Sequence, residues 1–448
     1  MLLSTVLTLI IAVALIGTYM RVVARNVSYA YGREIFNPMS YNLGIYMLTG
    51  LIGSVAIAVA PKDIQINEMV DSWATASLRW TALALMVYGF MVLAIGARFY
   101  RRFLIQDQDQ AQARVKQRVL SPLTSRMLTA TFLGVILTFT TSRLEFLMSL
   151  MTGGLDTWAV MALRAELVET ELSTIFIRRV VVEGLIWIYV LYLARTGRYR
   201  GQVWLLSACM SVYFLGSLAK IKMVLFLLSL LMCKSWNRHL SLGSVAKVAG
   251  IVFLGLIGIW AAFVRNLDPS YLFAIYSEGL VGRILISEIS ALYPHLAIFG
   301  SLENHLGMAS VSNLIASVFD LNPMPRSGGI VLGIVSPEWV KAGIGGVFNT
   351  VFFGEAFANF GVVGLLLSPL LVLLVYTAIA LGARLLPYHL RVAFLVHAAL
   401  NISVMAGFND YLWNPFLIVV FAVLLIVSRF NSYLFYAFKP ITCRTSTA

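Results

Sequence analysis

Charge is what this sequence has least of. Only 12% of its 448 residues are Asp, Glu, Lys or Arg, while 60% are apolar and the mean hydropathy is +0.87. A soluble domain carries about 25% charged residues. So little charge excludes a water-soluble enzyme, a nucleic-acid-binding protein and a secreted scaffold, and leaves a polytopic membrane protein. Cysteine is almost absent as well. Cys209 and Cys233 lie in apolar runs and Cys443 near the end, with no spacing that suits a zinc site or a disulfide framework. Acids are scarcer than bases, 20 against 33, giving a net charge of +13.

Apolar runs long enough, or nearly so, to cross about 30 Å of hydrocarbon occur at 2–20, 41–60, 76–95, 127–142, 180–194, 245–264, 355–381, 392–405 and 412–428. The run 203–233 is too long for one helix and carries Lys220 and Lys222 near its middle, which predicts two shorter helices, 203–218 and 223–233, around a basic turn. The fold class is therefore all-α: one integral membrane domain over residues 1–448 with about eleven transmembrane helices, in a range of ten to twelve. Run 2–20 has no basic residues before it and several after it, so it reads as the first span and not as a signal peptide. The stretch 106–117 (QDQDQAQARVKQ) reads as a short solvated loop.

Alternate loops and span ends hold 21 of the 33 basic residues and only three of the 20 acids. Lys and Arg mark the cytoplasmic side, which puts the N-terminus outside and the C-terminus inside. The excess positive charge is thus a topology signal and implies no nucleic acid. The long segments face outward: 143–179, with an amphipathic helix over 156–172, and 265–348, which is 84 residues long and reads as helical at 271–300 and 307–319. A turn at 322–329 (NPMPRSGG) presents Arg326. No glycine-rich phosphate loop stands on the cytoplasmic side. Chemistry on the outer face must use a donor already activated in the membrane, because nucleotides are cytoplasmic.

A pyrophosphate needs cations to bind it and to stabilise it as a leaving group. The outward cations include Arg143, Arg164, Lys220, Lys222, Arg283 and Arg326. Lys220 and Lys222 sit between two short spans, which is costly unless they line a polar cavity. The intramembrane acid Glu183 has Arg179 four residues before it, which predicts an i,i+4 ion pair. Only Asp107/Asp109 and Glu169/Glu171 are spaced as DxD, the first on the cytoplasmic side and the second diverging on a helix. The chemistry is therefore expected to need neither metal nor cofactor. Candidates for a general base are Glu288, His295, His305, Glu278, Glu303 and Glu355. Glu288 and His295 are seven residues apart and so share a helix face, with Pro294 a source of bending.

The stretch 345–364, GGVFNTVFFGEAFANFGVVG, resembles the segment after the large periplasmic loop of Wzy-type O-antigen and oligosaccharide repeat-unit polymerases. Residues 216–231 (GSLAKIKMVLFLLSLL) are similar to that family's basic turn between two spans, and 36–40 (FNPMS) to the opening of its second span. The resemblance implies a glycosyltransferase-C-like fold that moves a growing glycan from undecaprenyl pyrophosphate onto a new lipid-linked repeat unit at the periplasmic face of the bacterial inner membrane. The residues read above fit that chemistry: Arg283, Glu288 and His295 are the expected catalytic residues, with Lys220, Lys222, Arg326, Arg164 and Arg143 on the pyrophosphate. Tyr276, Tyr293 and Trp339 are expected to line the sugar path, and Asn349, Glu355 and His305 to bind substrate with them. Membrane lipid and a Wzz-type chain-length regulator are the expected partners. An O-antigen ligase uses the same donor with a lipid A–core acceptor, and a flippase is the rival outside enzymes; the latter predicts internal repeats, which are not evident.

Overall fold

The structure is a computed structural model that describes residues 38–60, 71–113, 120–141, 172–216, 220–236, 280–301, 305–341 and 350–437, with isolated positions at 14, 17, 250, 254, 255 and 257. Every regular element among the described residues is helical. Five helices are long and apolar enough to cross a membrane: Tyr41–Val59, Ala76–Ala97, Pro122–Thr141, Phe352–Ala383 and Phe408–Phe430. Runs 2–20 and 245–264 fall almost wholly outside the described residues, as do the outward helix 156–172 and residues 271–279.

The chain departs from the expected boundaries where local chemistry dictates. The Ala76–Ala113 helix runs on through most of the polar stretch read as a loop, whose Gln, Arg and Ala residues are good helix formers. The basic run divides as expected, into helices Arg200–Gly216 and Lys220–Ser235, but Lys220 opens the second helix. Near the end, the helix Phe408–Leu412 stops before Pro415 starts the next one. There Asn414 accepts a hydrogen bond from the Leu417 N–H at 3.0 Å, so the break is an Asn cap followed by proline at the first helical position.

Two departures bear on function. Residues 178–186 and 283–287 are π-helical, with one residue more per hydrogen-bonded turn than an α-helix. The outer segment also restarts at Leu292, after a break at Ala291. Pro294 therefore falls in the first turn of Leu292–Gly300, where its missing N–H costs nothing. Beyond Arg326 the expected turn gives way to two helices, Ser327–Val335 and Pro337–Lys341.

Among the described residues the helices bury two large apolar cores, besides a small cluster of Phe299, Leu306, Val331 and Ala358. One gathers residues between Leu43 and Ala97 with Ile286–Leu296, Val351–Ala380 and Ile402–Tyr411. The other gathers Ile136, Val180–Trp236, Ala383–Leu400 and Val420–Leu424. Ile379 and Leu417 pack against both. Each core borders one polar network, and these two networks hold the candidate chemistry.

Candidate functional site

The first network forms where the outer segment meets the start of Phe352–Ala383. Arg326, in the residue before Ser327–Val335, donates from Nε to Glu355 Oε1 at 3.1 Å and from Nη2 to Oε2 at 3.0 Å. Its Nη1 donates to Asp410 Oδ1 at 3.1 Å. The Asn409 N–H donates to Glu355 Oε2 at 2.9 Å. Glu355, with 3% of its side chain exposed, is thereby satisfied by three donors, as a buried carboxylate must be. Asp410 differs. Its side chain is 39% exposed, and Oδ2 carries no hydrogen bond among the described residues.

An amide pair backs this ion cluster. Ser310 donates to Asn359 Oδ1 at 2.6 Å, Asn359 donates to Asn409 Oδ1 at 2.7 Å, and Asn409 donates to the Ser310 carbonyl at 2.9 Å. The loop fixes Asp410 because its neighbour Asn409 is held at backbone and side chain alike. Two glycines make room. A Cβ at Gly407 would lie 2.3 Å from Glu355 Oε2. Gly361 breaks the helix Phe352–Ala383 at φ 61, ψ −148, and a Cβ there would lie 2.4 Å from His305 Nε2.

The second network lies in the other core. Glu183, in the π-helical stretch, is paired with Lys222 Nζ and lies 3.9 Å from Arg178 Nε. Tyr213 donates to its Oε1 at 3.5 Å, and the His397 Nε2 lies 2.7 Å from its backbone carbonyl. The expected partner Arg179 instead stacks over Phe416 at 4.9 Å. The π-helix accounts for this: its repeat brings i and i+5 together, so Arg178 takes the place four-residue spacing gives to Arg179. Counting carboxylate, ammonium and guanidinium groups alone, this network carries one surplus positive charge and the Arg326 network one surplus negative.

This pairing has a testable energetic consequence. Lys222→Met leaves Glu183, 11% exposed, with only the distant Arg178 as counterion, and should sharply lower the yield of folded protein. Glu183→Gln in the same chain removes the orphaned charge and should restore much of it. A double-mutant cycle on thermal midpoints measures this, and additive effects would rule the coupling out.

The remaining expected site residues fall in distinct places. His295 is fully buried, its Nδ1 2.7 Å from the Ala291 carbonyl and its Nε2 3.3 Å from Ser327 Oγ. The expected partnership with Glu288 is not seen among the described residues, where the His295 ring nitrogens face the Ala291 carbonyl and Ser327 instead. Glu288 is half-buried, and burial raises its pKa. Arg283 is exposed at the start of the π-helical stretch. Tyr293 is buried, its hydroxyl without a hydrogen bond among the described residues. His305 is exposed and packs over Gly361 and beside Phe357. Lys220 begins its helix; Arg143, Arg164, Tyr276 and Asn349 lie outside the described residues. Asp410, Asn409 and Ser310 were not singled out in the sequence. Their signal was an acid and an amide in a short turn between apolar runs, costly there unless partnered.

Burial pushes the His295 imidazole down from its ordinary 6.5 to about 4, against a smaller upward pull from the Ala291 carbonyl. The unfolded chain takes up this proton near pH 6.5 and the folded chain only near 4, so the stability this ring contributes at neutral pH is lost as pH falls through that window. Glu288, with a raised pKa, works in the opposite sense. The thermal midpoint of His295→Gln should therefore fall less than that of the wild type between pH 7 and pH 5. Parallel curves would refute the assignment.

Compared with protein-family models, with curated proteins and with solved structures, the chain matches none.

Proposed function

We propose that this protein polymerises lipid-linked oligosaccharide repeat units at the periplasmic face of a bacterial inner membrane, as Wzy-type polymerases do. One observation carries the reading. Glu355 and Asn359, two positions of the stretch behind the resemblance, join Arg326 and Asp410 in one network at the start of a membrane-suited helix, Asn359 through Asn409. The topology belonging to this reading has about eleven spans with the N-terminus outside, and the large segment 265–348 forms a helical cap.

In the reaction, Asp410 Oδ2 takes the proton of the acceptor hydroxyl while Arg326 holds Oδ1. The freed oxygen attacks the anomeric carbon of the donor glycan, and the bond from that carbon to the pyrophosphate oxygen breaks with its electron pair on oxygen. Undecaprenyl pyrophosphate departs with inversion at the anomeric carbon. Its charge is met by cations: the exposed Arg283 and the net-positive Lys222 network, with Arg143, Arg164 and Lys220 completing the set. Arg326, its guanidinium occupied by two carboxylates, serves to position Asp410.

The test is reconstitution of purified protein in lipid nanodiscs with undecaprenyl-pyrophosphate-linked repeat units as sole substrate. A ladder of lengthened lipid-linked glycan is the expected product, and unchanged single repeats overturn the reading. Transfer that requires added lipid A–core would make the protein a ligase.

A further inference from the structure

From the helix Asn313–Val318 to Arg326 the chain exposes an apolar edge that water would not favour. Val318 is 73% exposed, Phe319 58% and Leu314 56%, and Leu321 and Met324 continue the same stretch. Asp320 is the one charged residue between positions 313 and 325.

The backbone is as telling as the side chains. The N–H groups of Phe319, Asp320, Leu321 and Met324 donate to the carbonyls of Ile315, Ser317, Ala316 and Ala309, at 3.1, 3.2, 2.8 and 3.0 Å. Pro323 and Pro325 have no N–H to satisfy. Of seven exposed loop residues, 319–325, only Asn322 is left with a donor for which no internal acceptor is seen. Water would satisfy such donors freely, whereas hydrocarbon leaves them costly unless they are bonded within the protein.

The position of the loop agrees. Its base is pinned to the membrane helix by the Leu306 N–H to the Ala358 carbonyl at 3.0 Å and by Ser310 to Asn359. Directly after that point the helix turns Val362 and Val363 outward, 64% and 65% exposed, at the start of its lipid-suited face. We propose that residues 314–324 insert into the bilayer leaflet at which Phe352–Ala383 begins, with lipid acyl chains covering Leu314, Val318, Phe319, Leu321 and Met324. The inserted loop holds Arg326, two residues beyond Met324, at headgroup depth, so that Asp410 faces the border of water and lipid. This inference rests on the chain spanning a membrane and is independent of the polymerase reading.

The test uses full-length protein with Cys209, Cys233 and Cys443 replaced by Ala and one nitroxide-labelled cysteine, placed at Phe319, Leu321 or Ser301. The protein is reconstituted in nanodiscs of phosphatidylethanolamine and phosphatidylglycerol. At 319 and 321, dissolved oxygen should relax the label several-fold more than a water-soluble nickel chelate does. At Ser301, which is exposed just past the end of the helix Leu292–Gly300, the order should reverse. Greater relaxation by the chelate at 319 and 321 would place the loop in water. Protection from both agents would mean that protein, whether another segment or a second copy, covers it. Either result overturns the proposal, and a label at Met324 repeats the measurement if the Phe319 variant elutes as aggregate.

Discussion

Asp410→Asn should leave the protein folded at its normal level and reduce glycan polymerisation by at least about 10²-fold, the lower bound for losing a positioned general base. The substitution keeps the size of the side chain and an oxygen for Arg326 Nη1, which now bonds Asp410 Oδ1 at 3.1 Å. What it removes is the capacity to hold a proton. Among the described carboxylates of this network Asp410 alone combines exposure with a free oxygen; Glu355 is saturated by Arg326 and the Asn409 N–H. The measurement is the initial rate of chain extension in reconstituted nanodiscs, together with the monodisperse yield. Full activity in Asp410→Asn would remove Asp410 from the mechanism. A loss of folded protein to match the loss of rate would make its role structural.

Glu355→Ala should act mainly on stability. Removing this carboxylate strands a guanidinium that is two-thirds buried and frees the Asn409 N–H. One-sided deletion of a buried ion pair costs about 3–5 kcal/mol, and the lower end applies because Arg326 stays 35% exposed and keeps Asp410 as partner. Arg326→Met combined with Glu355→Met should recover part of that loss, since no buried charge then lacks a counterion. Gly407→Ala tests the same carboxylate sterically, because its Cβ would press on Glu355 Oε2. Thermal midpoints in detergent check all three. A Glu355→Ala midpoint equal to the wild type would mean that Arg326 finds other partners.

The sequence announced the membrane-suited helices through length and hydropathy, and the division of the run 203–233 into two helices, although Lys220 and Lys222 lie within the second helix and not in a turn. It announced Glu183 as an acid needing a partner but not which partner, because i,i+4 spacing assumes an α-helix and residues 178–186 wind more slowly. The pairing of Glu288 with His295 is likewise not seen among the described residues, the His295 ring nitrogens facing the Ala291 carbonyl and Ser327 instead. Glu355, Arg326 and the Asn359–Gly361 stretch were visible as residues. Their convergence was not, because Arg326 and Asp410 are 84 positions apart and no local periodicity encodes such a meeting. Asp410 lay hidden in a six-residue turn between two apolar runs, where attention to span boundaries passes over a lone acid.

The division into two cores has a consequence for how the protein is made. Neither core is contiguous: one draws on segments from Leu43 to Tyr411 and the other from Ile136 to Leu424. Most of the chain is therefore synthesised before either half can close. The Glu183–Lys222 pair, 39 positions apart, can form while synthesis continues, whereas Arg326 waits for Asp410 until nearly the whole chain has emerged. Its interim shelter is Glu355, only 29 positions away. Synthesis from the N-terminus thus orders the ion cluster, with the exposed Asp410 carboxylate arriving last.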